Sequence, residues 1–227
     1  MSGERIAATT HVASGRYVMY ARGMECGEER WTLARHAEGF VATGEQEVVA
    51  PHPFPSRHEY RITVAASGRP SGLEIRWSVG PRTLLATHRA DGDLWRVRIE
   101  VGDQVREQHG DYPEAAEIDC GTHVLSMFLL WRRDFAIGGE HEFPALRIGP
   151  PFMAVSPEPM RITCVEAGTR DTPRGPRPAK RYVVELPRRP EHERYTFWAD
   201  EDGFVLESYD DLEQRHPWMR LTELRLG

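Results

Sequence analysis

The sequence predicts a mostly β protein: a highly curved antiparallel sheet, a half-barrel, wrapped around one buried helix. Three observations carry this. Apolar and polar residues alternate strictly in many short segments, as in Leu73, Ile75, Trp77 and Val79 against Glu74, Arg76 and Ser78. A period of two is the side-chain period of a strand with one buried and one wetted face. The segments are joined by glycine-containing turn signals, too short for the crossovers that parallel strands require. Finally, Val124 to Trp131 is almost continuously apolar and breaks the alternation.

In chain order, strands are expected at 16–23, 28–36, 39–49, 58–66, 72–79, 82–90, 93–101 and 104–108, as an up-and-down meander. Asp91-Gly92 reads as a type I′ hairpin turn and Gly102-Asp103 as type II′. Residues 118–135 hold the break. Thr122 is a candidate N-cap, Asp119 lies just ahead of it, and Arg132 and Arg133 stand where cations suit a helix C-terminus. A helix apolar around most of its circumference belongs inside, against the concave face. Further strands are expected at 144–149, 160–167, 179–186, 193–199 and 203–209, with Trp218 to Leu226 as an edge strand. Gly149 to Pro159 and Thr169 to Pro178 read as loops rich in Pro and Gly. Residues 1–227 are expected to form one β-rich half-barrel domain, a common size for such a unit.

Composition excludes several chemistries. The net charge of −6, spread along the chain, offers no basic field for a phosphate backbone, so no nucleic-acid partner is expected. Lys180 is the sole lysine, which a GC-rich bacterial coding sequence explains. It follows Arg177, Pro178 and Ala179, so no P-loop is present. Cys26, Cys120 and Cys164 are odd in number and widely spaced, which predicts free thiols in a reducing compartment. No apolar run suffices for a membrane span, and Met1 to Thr10 lacks the apolar core of a secretory signal, so a cytoplasmic location is expected.

Ten histidines occur without H-x-H or H-E-x-x-H spacing, so neither a metal nor another cofactor is expected. Glu140-His141-Glu142 reads as a solvated turn. Cys120 sits near a helix start, but Asp119 beside it opposes a thiolate, so a buried, inert thiol is expected. Asp119 and His123 lie four apart at that start and are the candidate acid–base pair, should the protein be an enzyme. Tyr60, Trp77 and Trp95 occupy apolar faces of the meander, with Tyr182 and Phe197 in the later strands and Trp131 on the helix; these are the candidate walls of an apolar binding site. Arg181 is the candidate anchor for an anionic group.

The order of meander, buried helix and shorter strand set resembles the curved half-barrel group typified by the periplasmic lipoprotein carriers, and within it an uncharacterised bacterial family. The residues behind this are Gly15-x-Tyr17, Ile118-Asp119 before the helix, Thr172-Pro173-x-Gly175, and Phe197-Trp198 followed by Asp200 and Asp202-Gly203. The resemblance implies a hollow that holds an apolar ligand, capped by helix and loops. Binding of a hydrophobic or lipid-like small molecule is therefore the expected function. The alternative is a small enzyme that isomerises or cyclises an apolar metabolite in the same cavity.

Overall fold

The structure, a computed structural model, describes residues 10–52, 54–149, 153–187, 193–210 and 216–227. The N-terminal stretch read as lacking an export signal lies almost wholly outside them. Alternation produces the meander as expected: β1 (Thr10–Ala21), β2 (Met24–His36), β3 (Gly39–Val48), β4 (Ser56–Ala65), β5 (Pro70–Val79), β6 (Arg82–Asp91), β7 (Leu94–Val101) and β8 (Gln104–Asp111). Each pairs antiparallel with the next. Then come a short β9 (Glu117–Cys120), the helix α1 (His123–Arg132), β10 (Glu140–Gly149), β11 (Ala154–Thr172), β12 (Gly175–Leu186), β13 (Glu193–Asp200), β14 (Val205–Tyr209) and β15 (Met219–Leu226).

All these strands belong to one sheet, ordered β8-β7-β6-β5-β4-β3-β2-β1-β15-β14-β13-β12-β11-β10-β9. The final strand is not at an edge, contrary to expectation. β15 pairs with β1 on one side and β14 on the other, so it welds the two strand sets together. Its inward Met219, Leu221 and Leu224 are buried as a central strand requires. Nor is the sheet wholly antiparallel, because β9 runs parallel to β10. The intervening helix supplies the long connection a parallel pair needs.

The sheet curls until β8 approaches β11, where the Gln108 amide donates to the Val155 carbonyl at 3.2 Å. No ladder joins the two edge strands, so the curve stays open. The helix fills the hollow. Thr122 caps it by accepting from the Val124 amide, and the chain turns extended at Arg133, short of the expected end at Phe135. Phe128 packs 6.1 Å from Phe40 on β3, and His123 lies 5.8 Å from Tyr17 on β1. No helix among the described residues is long and apolar enough to cross a membrane.

Three local readings change. Asp91 pairs with Leu94, so the turn is Gly92-Asp93, with Gly92 at φ 60° and the type II′ pattern, one residue later than read. Gly102-Asp103 turns as expected, with Gly102 at φ 57°. The proline-rich segments read as loops are largely strand among the described residues, 150–152 lying outside them. Pro157 and Pro159 pair with β10 on a stretch of β11 that has no β12 neighbour, and Pro176 and Pro178 pair with β11 beyond the reach of β13. A proline lacking its N–H is tolerated where one side of a strand is unpaired. Glu140-His141-Glu142 likewise opens β10 instead of forming a turn, its carboxylates facing Arg161 on β11.

Candidate functional site

Inside the curve, strand register lines up a polar row. Tyr17 on β1 faces Glu29 on β2, Glu29 faces Gln46 on β3, Gln46 faces His58 on β4, and His58 faces Trp77 on β5. Glu29 is fully buried. Its Oε1 accepts from the Tyr60 hydroxyl at 2.5 Å and from the Thr122 hydroxyl at 2.5 Å, while Oε2 has no partner. Burial pushes its carboxyl up to about 7, against the two hydroxyls, which favour the charged form. The helix start thus rests on a carboxylate poised near neutrality.

Beside it, the Gln46 amide nitrogen lies 3.5 Å from the Gly121 carbonyl, so its oxygen faces His58, whose Nδ1 stands at 2.5 Å. His58 therefore carries its proton on Nδ1. Burial holds the ring down to about 4 and leaves it neutral, so Nε2 is a bare acceptor, buried and without a partner. His58, Tyr60, Thr122, Leu73 and Ile75 wall a small pocket of about 50 Å³.

A much larger cavity, about 870 Å³, opens at the end of the curve where the helix begins. Apolar surface comes from Met19, Cys26, Ile148, Tyr195, Pro217 and Trp218; polar surface comes from Asp119, Arg147, His52, His123 and His216. Cys120, Gly121, Thr122 and Ile148 belong to both spaces. Strand pairing places Asp119 beside Arg147, 3.7 Å apart. His123 shares a hydrogen bond with the Ser208 hydroxyl at 2.7 Å, and burial depresses it to about 3. Burial and then the Asp119 charge push the Cys120 thiol up to about 12, so this partly buried thiol is a poor nucleophile. Among the described residues no group of three could hold a metal.

The expected site residues separate. Asp119 and His123 both line the large cavity, although the structure engages Asp119 with Arg147 and His123 with Ser208. Tyr60 lines the small pocket. Trp95 is fully enclosed, its indole donating to His88 Nδ1 at 3.1 Å, and Trp77 packs 5.8 Å from His58; neither lines the large cavity. Trp131 is partly exposed at the far end of the helix and donates to the Asp202 carbonyl. Tyr182 and Phe197 stack 5.0 Å apart in a second core cluster, and Arg181 pairs with Glu166 at 3.0 Å.

Sequence reasoning passed over Glu29, Gln46, His58 and Trp218. The first three had a signal. Glu29 is in phase with Trp31 and Leu33, Gln46 with Ala42 and Val48, and His58 with Tyr60 and Ile62, so each is a polar residue at an apolar phase.

No protein-family model matches the chain, and no curated protein matches it significantly. Solved structures do. A DUF1089 family protein from Pseudomonas aeruginosa is 17% identical, with a TM-score of 0.53 over 80% of this chain and 89% of that one. A beta-barrel-like protein of the domain of unknown function DUF1849 from Brucella abortus is 8% identical, with a TM-score of 0.61 over 97% of this chain and 99% of that one. At such identities the likeness concerns the fold alone, and the chain shares with both a barrel-like β architecture.

Proposed function

We propose that the protein binds a hydrophobic or lipid-like small molecule at the helix-start end of the half-barrel. The observation that supports this best is the 870 Å³ cavity, which lies within the usual range of roughly 300 to 1,000 Å³ for small-molecule sites. Trp218, Met19 and Ile148 offer apolar wall, and the Asp119–Arg147 pair marks a polar margin that fixes orientation. The resemblance to lipoprotein carriers supports an apolar ligand, although here the helix fills the hollow and the cavity lies at its end. Native mass spectrometry of purified protein, followed by extraction, tests it. A retained apolar molecule is expected, and a bare protein that also takes up no apolar dye contradicts it.

One observation favours a second reading, an enzyme that isomerises or cyclises an apolar metabolite. Glu29 lines neither cavity, but its carboxyl, near 7, accepts from the Tyr60 and Thr122 hydroxyls, which line the small pocket, so a proton exchanged with a substrate there would pass through those hydroxyls. If extracted ligand is converted by fresh protein but not by Glu29→Gln, this reading replaces simple binding.

A further inference from the structure

We infer that the small pocket walled by His58, Tyr60 and Thr122 accepts the hydroxyl terminus of an otherwise apolar ligand, and discriminates against a carboxylate or an ammonium. For the ligand's body this rests on the binding reading above. The chemistry of the terminus rests on the pocket itself.

Its polar groups point one way. The hydrogen-bond order fixed by the Gly121 carbonyl and Gln46 leaves His58 Nε2 as an acceptor without a donor. The Tyr60 proton is directed to Glu29 and its oxygen already lies 3.2 Å from the Thr122 hydroxyl, so Tyr60 has no proton to offer a newcomer. The Thr122 proton is directed to Glu29 as well. A group entering here must therefore bring its own hydrogen. A carboxylate brings none and would face Glu29 behind Tyr60; an ammonium brings three and would be stripped of water against Leu73, Ile75 and Met153. A hydroxyl brings one, uncharged.

Size agrees. The space of about 50 Å³ is far smaller than the cavity of about 870 Å³ beside it, so a small terminal group is the part of the ligand assigned to it. Gly121 stands where the small pocket and the large cavity share a wall. A Cβ there would meet no atom within 4 Å, and its backbone lies outside the left-handed region, so a side chain could be added without strain. On this proposal the ligand must pass beside Gly121, with its body in the large cavity.

The test uses Nile red bound to the full chain, displaced by 1-decanol, decanoate or decylamine at neutral pH. A parallel measurement follows the ¹⁵N signal of His58 Nε2. Decanol should displace the dye at a concentration at least tenfold below either charged analogue and should shift the Nε2 signal. His58→Phe, which keeps the ring but loses the acceptor, should erase the preference while still binding dye; Gly121→Val, which blocks the shared wall, should do the same if His58→Phe fails to fold. Dye binding with decanoate or decylamine equal to or better than decanol overturns the hydroxyl assignment and leaves the binding reading intact. Absence of dye binding together with a decanol-dependent Nε2 shift upholds the pocket and removes the large-cavity reading; absence of both removes both.

Discussion

Tyr60 on β4 reaches Glu29 on β2 across the full width of β3, and Gly44 is what lets it. Gly44 pairs directly with Tyr60 in the ladder, and a Cβ at that position would collide with the Tyr60 ring. The missing side chain on the middle strand is the slot through which a phenol on one strand hydrogen-bonds a carboxylate two strands away. Gly44→Ala is therefore expected to displace Tyr60 and cost about 1 to 3 kcal/mol, the usual range for overpacking. Urea denaturation measures this, and a loss below about 0.5 kcal/mol would mean that the ring has room to move.

Glu29 makes stability depend on pH in an unusual direction. Its carboxyl in the folded protein lies near 7, above the unfolded value, so the native state binds more protons between the two. Its contribution is complete below the unfolded pKa and is lost as pH rises through about 7. The stability of the native chain minus that of Glu29→Gln should fall by about 2 to 3 kcal/mol between pH 5 and pH 8. The comparison cancels the opposing trend from His58, His88 and His123, whose depressed values make the chain gain stability as pH rises toward 6.5. A pH-independent difference would show that Glu29 is ionised throughout.

Leu125 and Leu129 are buried on the helix that fills the hollow. Replacing either with alanine should cost about 2 to 5 kcal/mol. Losses under 1 kcal/mol at both sites, read from chemical denaturation, are incompatible with a helix packed inside the sheet.

Cys26, Cys120 and Cys164 are free thiols in the structure. Thiol titration of the denatured chain without reductant should return three. In the native protein at pH 8, Cys120 should react with an aromatic disulfide reagent far more slowly than a free cysteine, because little of it is thiolate when its pKa is near 12. Rapid labelling of Cys120 would show a thiol far more acidic than its surroundings imply.

The fold was legible because alternation is a local signal repeated in strand after strand, and because an apolar run such as Val124 to Trp131 has few places to go. Partnership was harder to read. The pattern of Met219 to Leu226 suits an edge or a centre equally, and only the curl of the sheet brings β15 between β1 and β14. Prolines misled for a related reason: Pro157 and Pro176 forbid a ladder on one side only, and the sequence does not say which side is free. At the site, the search for large aromatic rings found Trp95, whose ring is enclosed by core, and passed over Glu29, whose charge at an apolar phase is the stronger anomaly.

The central claim is that the large cavity takes an apolar ligand, with Trp218 as part of its wall. Nile red titration of the native chain, Trp218→Ala and Trp131→Ala tests this most directly, since Trp131 lies away from the cavity on the far end of the helix. Saturable binding is expected, weakened at least tenfold, about 1.4 kcal/mol, by the first substitution and unchanged by the second, with both variants folded by circular dichroism. No saturable binding, or equal weakening by both, would contradict the account.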